Sequence, residues 1–153
     1  FSKFYGMTGW RLGWMILPED MAGPMERVAQ NLYISSNAVS QSAALAAFDC
    51  CEELRRNVEV YRRNRDILLE ALPRAGITEM APADGAFYIF ANVSRITNDS
   101  MDFCARLLAE TGVAVTPGVD FDTEEGHGYV RISFAGETDT IRDAADRIVS
   151  WLS

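Results

Sequence analysis

One segment in the second half of the chain shows a strict alternation of apolar and polar side chains. Residues 129–134 alternate without a break, which predicts a strand with Arg131 on the face opposite to the apolar one. Shorter apolar runs beside glycine and proline turns predict two further strands, at residues 86–90 and 113–116. The apolar face of the strand at 129–134 is formed by Val130, Ile132 and Phe134.

A second pattern, with apolar residues three and four positions apart, predicts helices. The longest lies at residues 52–72, and Pro73 and Gly76 are expected to end it. Helices at residues 99–111 and 138–152 alternate with the strands, which predicts a small α+β domain. The positions expected to face inward are Leu54, Val58, Tyr61, Leu68 and Leu72 in the first helix, Met101, Cys104, Leu107 and Leu108 in the second, and Ile141, Ala145, Ile148 and Leu152 in the third.

The first fifty residues follow a different pattern. The apolar run at residues 10–17, closed by a proline, predicts a buried strand of a sheet that is covered on both faces. Helical signals follow at residues 18–20 and 24–33. An alanine-rich helix is predicted at residues 41–48, with Ser40 as its N-cap.

Charge and composition exclude several classes of function. The net charge of −8 argues against nucleic acid or an anionic membrane as the main partner. No apolar run is long enough for a membrane span, and no export signal is evident. The three cysteines suit neither a disulfide framework nor a zinc site, so a soluble cytoplasmic protein without metal is expected. His127, the only histidine, lies in an acidic glycine loop and is expected at the surface.

The densest candidate chemistry lies at the start of the chain, FSKFYGMTGWRLGW. Lys3 follows Ser2 directly, and Arg11 comes eight residues later. A lysine that reacts as a neutral amine needs a sheltered site or neighbouring cations. A guanidinium and a hydroxyl beside glycines are donors suited to an anion, and the glycines at 6, 9 and 13 would allow turns and close approach. The segment therefore predicts an amine nucleophile beside an anion site.

The spacing Ser-Lys-x5-Gly-x-Arg-x-Gly-aromatic resembles the cofactor-lysine segment of class I and II aminotransferases, which belong to the pyridoxal-phosphate enzymes of fold type I. The resemblance implies that Lys3 forms a Schiff base with pyridoxal 5′-phosphate and that Ser2 and Arg11 bind the cofactor phosphate. It also implies a homodimeric enzyme that moves an amino group from an L-amino acid to a 2-oxo acid. In such an enzyme the freed Lys3 would move a proton at the substrate α-carbon.

A second segment resembles the same family. PGVDF at residues 117–121 and GYVRISFA at residues 128–135 are similar to its C-terminal signature, which implies that Arg131 binds the substrate α-carboxylate. Asp122 departs from the commoner glycine, which puts the shape of that loop in doubt. The resemblance also implies that Ser36 and Asn37 lie at the dimer interface near a cofactor. From the residue types alone, this pair favours a helix-capping loop.

The resemblance runs through nearly the whole chain and implies an α/β fold, the end of a fold type I cofactor-binding large domain followed by a small α+β C-terminal domain. Residues 1–54 would belong to the large domain and residues 55–153 to the small one, linked by the helix at about 52–72. In the family much of the cofactor site precedes the lysine. The chain is therefore expected to be a C-terminal portion of an aminotransferase and inactive alone.

Two alternatives share these residues. A fold type I lyase, or an enzyme similar to aminocyclopropane-carboxylate synthase, could use Lys3, Arg11 and Arg131 for different chemistry on the same substrate carbon. A non-catalytic alternative is the aminotransferase-like sensor domain of a transcription regulator. Formation of a keto acid distinguishes the aminotransferase from the lyase, and a DNA-binding segment upstream would indicate the sensor.

Overall fold

The computed structural model describes all residues from 1 to 153, which form two compact units, Phe1–Asn57 and Val58–Ser153. No helix is both long and apolar enough to cross a membrane. The helices are α1 (Glu19–Leu32), α2 (Ala38–Ala47), α3 (Cys51–Arg74), α4 (Ser100–Thr111) and α5 (Thr138–Leu152), and the strands are β1 (Tyr88–Asn92), β2 (Thr116–Pro117) and β3 (Tyr129–Ser133).

The first unit is helical, and helix α2 begins earlier than its sequence pattern predicted. Asn37 is the N-cap, because its side-chain oxygen accepts a hydrogen bond from the backbone N–H of Ser40 at 3.1 Å. The prediction that Ser40 caps the helix is therefore wrong. Ser40 lies inside α2 and is buried, and its hydroxyl donates to the carbonyl of Trp10 at 2.8 Å.

The strand predicted at residues 10–17 does not form. A 3₁₀ turn occupies Thr8–Trp10, and residues 12–18 have no regular secondary structure. Trp14 and Ile16 are 70% and 84% exposed. A strand needs a neighbour to receive its backbone hydrogen bonds, and no other segment of the chain pairs with this one. The two helical stretches predicted next are one helix, α1, with Pro24 inside it.

The second unit is built on a three-stranded antiparallel sheet in the order β1-β3-β2. Arg131 stands on the central strand, opposite Phe90 on one side and Thr116 on the other. The alternation predicted for β3 is confirmed, since Val130 and Ile132 are buried while Arg131 lies on the other face. The buried face of the sheet therefore fixes which way Arg131 points.

Helices α3, α4 and α5 supply the rest of a hydrophobic core on the apolar side of the sheet. Asn64 of α3 is fully buried in the second unit, and its amide donates to the carbonyls of Phe134 at 3.0 Å and Gly136 at 2.8 Å. These bonds anchor the chain just after β3. The core consists of Leu68, Ala71, Leu72, Ala75, Ile77, Ile89, Ala91, Val93, Phe103, Cys104, Leu107, Val130, Ile132, Phe134, Ile141, Ala145 and Ile148.

Helix α3 runs through Pro73 to Arg74, so the predicted stop at Pro73 is wrong and the stop at Gly76 is correct. Gly76 has φ +81°, and its N–H donates to the carbonyl of Pro73. The N–H of Ile77 donates to the carbonyl of Leu72, which completes a Schellman motif between two buried side chains.

Four other predicted boundaries or faces need correction. Val58 of α3 was expected to face inward but is 39% exposed. Strand β1 begins at Tyr88 instead of residue 86, because Ala86 has φ +57° and belongs to the preceding turn. The third strand is reduced to Thr116–Pro117. In α4, Phe103 is buried, whereas Met101 and Leu108 are 57% and 51% exposed.

Candidate active site

A tight turn carries Lys3. The N–H of Gly6 donates to the carbonyl of Lys3 at 2.9 Å, and Gly6 has φ +63°, which favours glycine. The N–H of Met7 donates to the carbonyl of Phe1 at 3.2 Å, and the Met7 side chain is buried. Lys3 therefore lies at an exposed position in a short turn that these two backbone hydrogen bonds close.

Two aromatic rings of this loop pack against Phe48, the residue that follows α2. The ring centres of Phe1 and Tyr5 lie 4.9 Å apart, and both rings meet Phe48 edge to face, at 5.7 and 5.5 Å. Backbone hydrogen bonds and aromatic contacts thus pack the segment around Lys3 within the first unit.

Thr8 links the two residues that the sequence assigned to the phosphate. Its hydroxyl donates to the backbone carbonyl of Ser2, and its own carbonyl accepts a hydrogen bond from Arg11 Nη1 at 2.9 Å. Arg11 has φ +49°, an uncommon value for a residue with a side chain. Sequence reasoning missed Thr8, although a hydroxyl inside the five-residue spacer was a signal for it.

Of the three glycines around Arg11, only Gly6 has a conformation that requires glycine. Gly9 and Gly13 have no positive φ, and a Cβ at either position would meet nothing within 4 Å. Close approach of a bound anion to the backbone at these two positions stays a prediction.

The Ser36–Asn37 segment has the capping geometry that its residue types favoured. Asn37 caps α2, and the carbonyl of Ser36 accepts a hydrogen bond from Gln41 Nε2 at 2.9 Å. A role of Ser36 and Asn37 at a dimer interface stays a prediction.

In the second unit, Arg131 lies over two aromatic rings. Its Cζ atom is 4.2 Å from the ring centre of Tyr88 and 4.1 Å from that of Phe121. The neighbouring rings of Phe90 and Tyr129 stack on each other at 5.1 Å with an interplanar angle of 5°. One face of the sheet is therefore an aromatic surface with a single guanidinium in it. Sequence reasoning assigned no role to Tyr88 or Phe121, although Phe121 lies in a segment that resembles the family.

The loop that carries Phe121 is tightly built. The N–H groups of Phe121 and Asp122 both donate to the carbonyl of Gly118, at 2.9 and 3.0 Å. The Asp122 carboxylate accepts the N–H groups of Glu125 and Glu124, at 3.1 and 2.9 Å, and these bonds lower the pKa of Asp122. Asp122, which departs from the commoner glycine, thus closes this loop through its side chain.

Gly118 and Gly126 are packed against each other in the same loop. A Cβ on Gly118 would lie 2.5 Å from the carbonyl oxygen of Gly126, and a Cβ on Gly126 would lie equally close to Gly118 backbone atoms. Only glycine fits at these positions, which gives the Pro-Gly of the predicted signature a physical reason.

The remaining reactive side chains form no second site. His127 is exposed, and no cluster of three or more potential metal ligands is present in the chain. The three cysteines are free thiols. Burial, and to a lesser degree the charge of Asp120, raises the pKa of the Cys104 thiol to about 11.

Comparisons with known proteins agree with the resemblance seen in the sequence. A valine–pyruvate aminotransferase of Mycobacterium tuberculosis is 49% identical over 154 residues, which cover 99% of this chain and 40% of the relative. An aspartate aminotransferase of Sulfurisphaera tokodaii is 34% identical over 156 residues, covering 99% of this chain and 39% of the relative. The chain thus spans about 40% of the length of these curated relatives.

A crystal structure of an aminotransferase from Mycobacterium tuberculosis has a TM-score of 0.96 and 49% sequence identity to this chain, covering 99% of this chain and 40% of that one. The predicted α/β fold class is confirmed by this likeness. The family model "Aminotransferase class I and II" matches residues 1–148. Because this match takes in both the Lys3 and the Arg131 segments, the chain belongs to the class I and II aminotransferase family.

Proposed function

We propose that the protein containing this chain is a pyridoxal-phosphate-dependent aminotransferase that moves an amino group from an L-amino acid to a 2-oxo acid. The observation that carries the proposal is the linked set of Ser2, Thr8 and Arg11 beside the turn that bears Lys3. In a member of this family, that combination supports an amine held next to an anion site.

The donors fit the cofactor. A phosphate needs several hydrogen-bond donors and a positive charge, and the segment offers the hydroxyl of Ser2 and the guanidinium of Arg11. We assign these two residues to the cofactor phosphate and the Nζ atom of Lys3 to its aldehyde. When bound, pyridoxal phosphate supplies an electron-withdrawing ring that stabilises negative charge at the substrate α-carbon.

Lys3 has a second role in the proposal. With cofactor and substrate bound, the Lys3 Nζ would accept the proton of the substrate α-carbon and hold it for return while the amino group is transferred. Lys3 is the only lysine of the chain, so no other amine side chain here could serve both roles. The uncommon backbone angle of Arg11 is typical of residues that a functional site holds in place.

Arg131 is the proposed ligand of the substrate α-carboxylate. Its side chain stands on the central strand of the sheet, where the backbone is fixed on both sides by β1 and β2. A guanidinium presents paired N–H donors that match the two oxygens of a carboxylate and orient the substrate. The relative from Mycobacterium tuberculosis is a valine–pyruvate aminotransferase, so L-valine with pyruvate is the first substrate pair to test.

The larger assembly is also a proposal. Residues 1–54 would complete a cofactor-binding large domain, and residues 55–153 would form the small domain. The active enzyme would be a homodimer in which Ser36 and Asn37 lie near the cofactor of the other subunit.

Reductive labelling tests the proposal directly. The full-length protein is saturated with pyridoxal phosphate, reduced with borohydride and digested, and the modified peptide is identified by mass spectrometry. We expect the pyridoxyl group on Lys3, and we expect the Lys3→Arg protein to lose both the label and the transfer of the amino group from L-valine to pyruvate. A label on a different lysine, or an active Lys3→Arg protein, would refute the assignment.

A further inference from the structure

Arg131 is held by aromatic rings and not by an acid. The Cζ atom lies 4.2 Å from the ring centre of Tyr88 and 4.1 Å from that of Phe121. None of the salt bridges of the chain involves Arg131. A ring face attracts a guanidinium through its quadrupole but offers it no hydrogen-bond acceptor of carboxylate strength. The N–H donors of Arg131 are therefore not committed to a carboxylate of its own chain.

The sheet register explains why Tyr88 reaches Arg131. Strand β1 pairs Phe90 with Arg131 and Tyr88 with Ser133. Tyr88 is thus the diagonal neighbour of Arg131 on the same face of the sheet, a separation that aromatic and long side chains can span. This contact depends on β1 starting at Tyr88, directly after the turn in which Ala86 has φ +57°.

Phe121 reaches Arg131 from the loop between β2 and β3. Its ring is 51% exposed, so packing in the core does not account for its position. The position follows from the loop itself, in which Gly118 accepts two backbone hydrogen bonds and Asp122 accepts two more. A rigid loop that presents a half-exposed ring to a guanidinium indicates a function for that ring beyond stability.

We infer that Tyr88 and Phe121 are positioning residues, which hold the Arg131 guanidinium in place for the substrate carboxylate. The inference rests on the proposed function, in which Arg131 is the carboxylate ligand. An arginine side chain has several rotatable bonds, and ordering them when substrate binds would weaken binding. Two ring contacts order the side chain in advance. A carboxylate in the same place would order it too, but it would compete with the substrate for the same donors.

The test uses the full-length protein with pyridoxal phosphate bound. Two substrates that share the same side chain are compared, L-valine and isobutylamine, of which only L-valine has a carboxylate. Their single-turnover reactions are followed by the absorbance of the cofactor. For Phe121→Leu and Tyr88→Leu we expect the apparent second-order rate constant of the reaction with L-valine to fall about three- to tenfold. With isobutylamine it should not change, because that substrate has no carboxylate for Arg131 to bind.

Two controls separate the ring contact from general damage. Phe121→Tyr keeps an aromatic face and should react with L-valine as the native protein does. Trp151→Leu removes a ring that lies 5.5 Å from Arg106, elsewhere in the same unit, and should leave both substrates unaffected. If Phe121→Leu and Tyr88→Leu slowed both substrates equally, the rings would have a structural role and the inference would be wrong.

Arg131→Ala distinguishes failure of this inference from failure of the proposed function. The proposed function requires that Arg131→Ala slow the reaction of L-valine by roughly 30-fold or more, and that of isobutylamine far less. If it does so while Phe121→Leu and Tyr88→Leu have no effect, the positioning role is refuted and the carboxylate role stands. If Arg131→Ala does not change the reaction of L-valine, both are refuted.

Discussion

Asp122 is the residue whose side chain shapes the loop beside Arg131 most directly. Its carboxylate accepts the N–H groups of Glu125 and Glu124, and these hydrogen bonds favour the ionised form and lower its pKa. Because the pKa is lower in the folded protein, the carboxylate stabilises the loop above the ordinary aspartate pKa of about 3.9. That contribution is lost as the pH falls through the lower value of the folded state.

The Asp122→Ala substitution is therefore expected to loosen this loop at neutral pH. Hydrogen exchange of the peptide with residues 122–128, followed by mass spectrometry, should be faster in the variant at pH 7. The difference from the native protein should shrink only as the pH falls through the lowered pKa of the folded state, where the native carboxylate also becomes protonated. Asp84→Ala, in the exposed turn before β1, is the control and should leave this peptide unchanged. A difference that persisted undiminished at low pH would contradict the explanation.

Individual residues also show how far the candidate site could be predicted. Lys3 and Arg131 stood out because reactive side chains of those types occurred at spacings that resemble a known family. Thr8 and Phe121 reach the candidate site residues because of the conformation of the loops that carry them. A loop conformation depends on contacts between residues that are not regularly spaced, so a sequence pattern does not predict it. The role of Tyr88 follows from the cross-strand register, which a periodic pattern does not reveal.

At the scale of elements, the loop between β2 and β3 depends on two glycines that touch. In Gly118→Ala the added Cβ would lie 2.5 Å from the carbonyl oxygen of Gly126 and 2.6 Å from that of Tyr129. Since both neighbours are backbone atoms, the loop would have to move. We expect a loss of about 2 kcal/mol or more in the free energy of unfolding, measured by urea denaturation.

Gly85→Ala provides the matched control in the turn before β1. Gly85 has no positive φ, and a Cβ there would meet nothing within 4 Å, so its effect should stay within about 0.5 kcal/mol. Gly118→Ala should also weaken the reaction with L-valine, because the loop carries Phe121. Equal stability of the two variants would show that the loop accommodates the methyl group, against this argument.

Elements were predicted well where a single pattern decided them. Strand β3 alternates over its whole length, and α5 has one continuous apolar face. The strand predicted at residues 10–17 failed because its apolar composition suits a sheet but no segment of the chain pairs with it. In α4, apolar residues occupy more than one face, and only packing decides that Phe103 is buried while Met101 is not.

For the whole molecule, the two units differ in how much apolar surface each buries. Every residue of the hydrophobic core, and every partly buried residue packed against it, lies within Val58–Ser153. In Phe1–Asn57 the buried apolar side chains are Met7, Ala44 and Leu54. The same unit leaves large apolar side chains more than two thirds exposed, namely Trp14, Ile16, Leu32, Ile34 and Leu45.

We therefore expect residues 51–153, which keep α3 intact, to fold as an isolated polypeptide, and residues 1–57 not to do so. Burial of apolar surface drives folding, and only the longer polypeptide retains a continuous core. The longer polypeptide should unfold cooperatively in urea and give a dispersed amide NMR spectrum. In the same polypeptide, Leu68→Ala should cost about 2–5 kcal/mol, because Leu68 is 1% exposed. A dispersed spectrum from residues 1–57, or a gradual transition from residues 51–153, would mean that the core cluster does not define the folding unit.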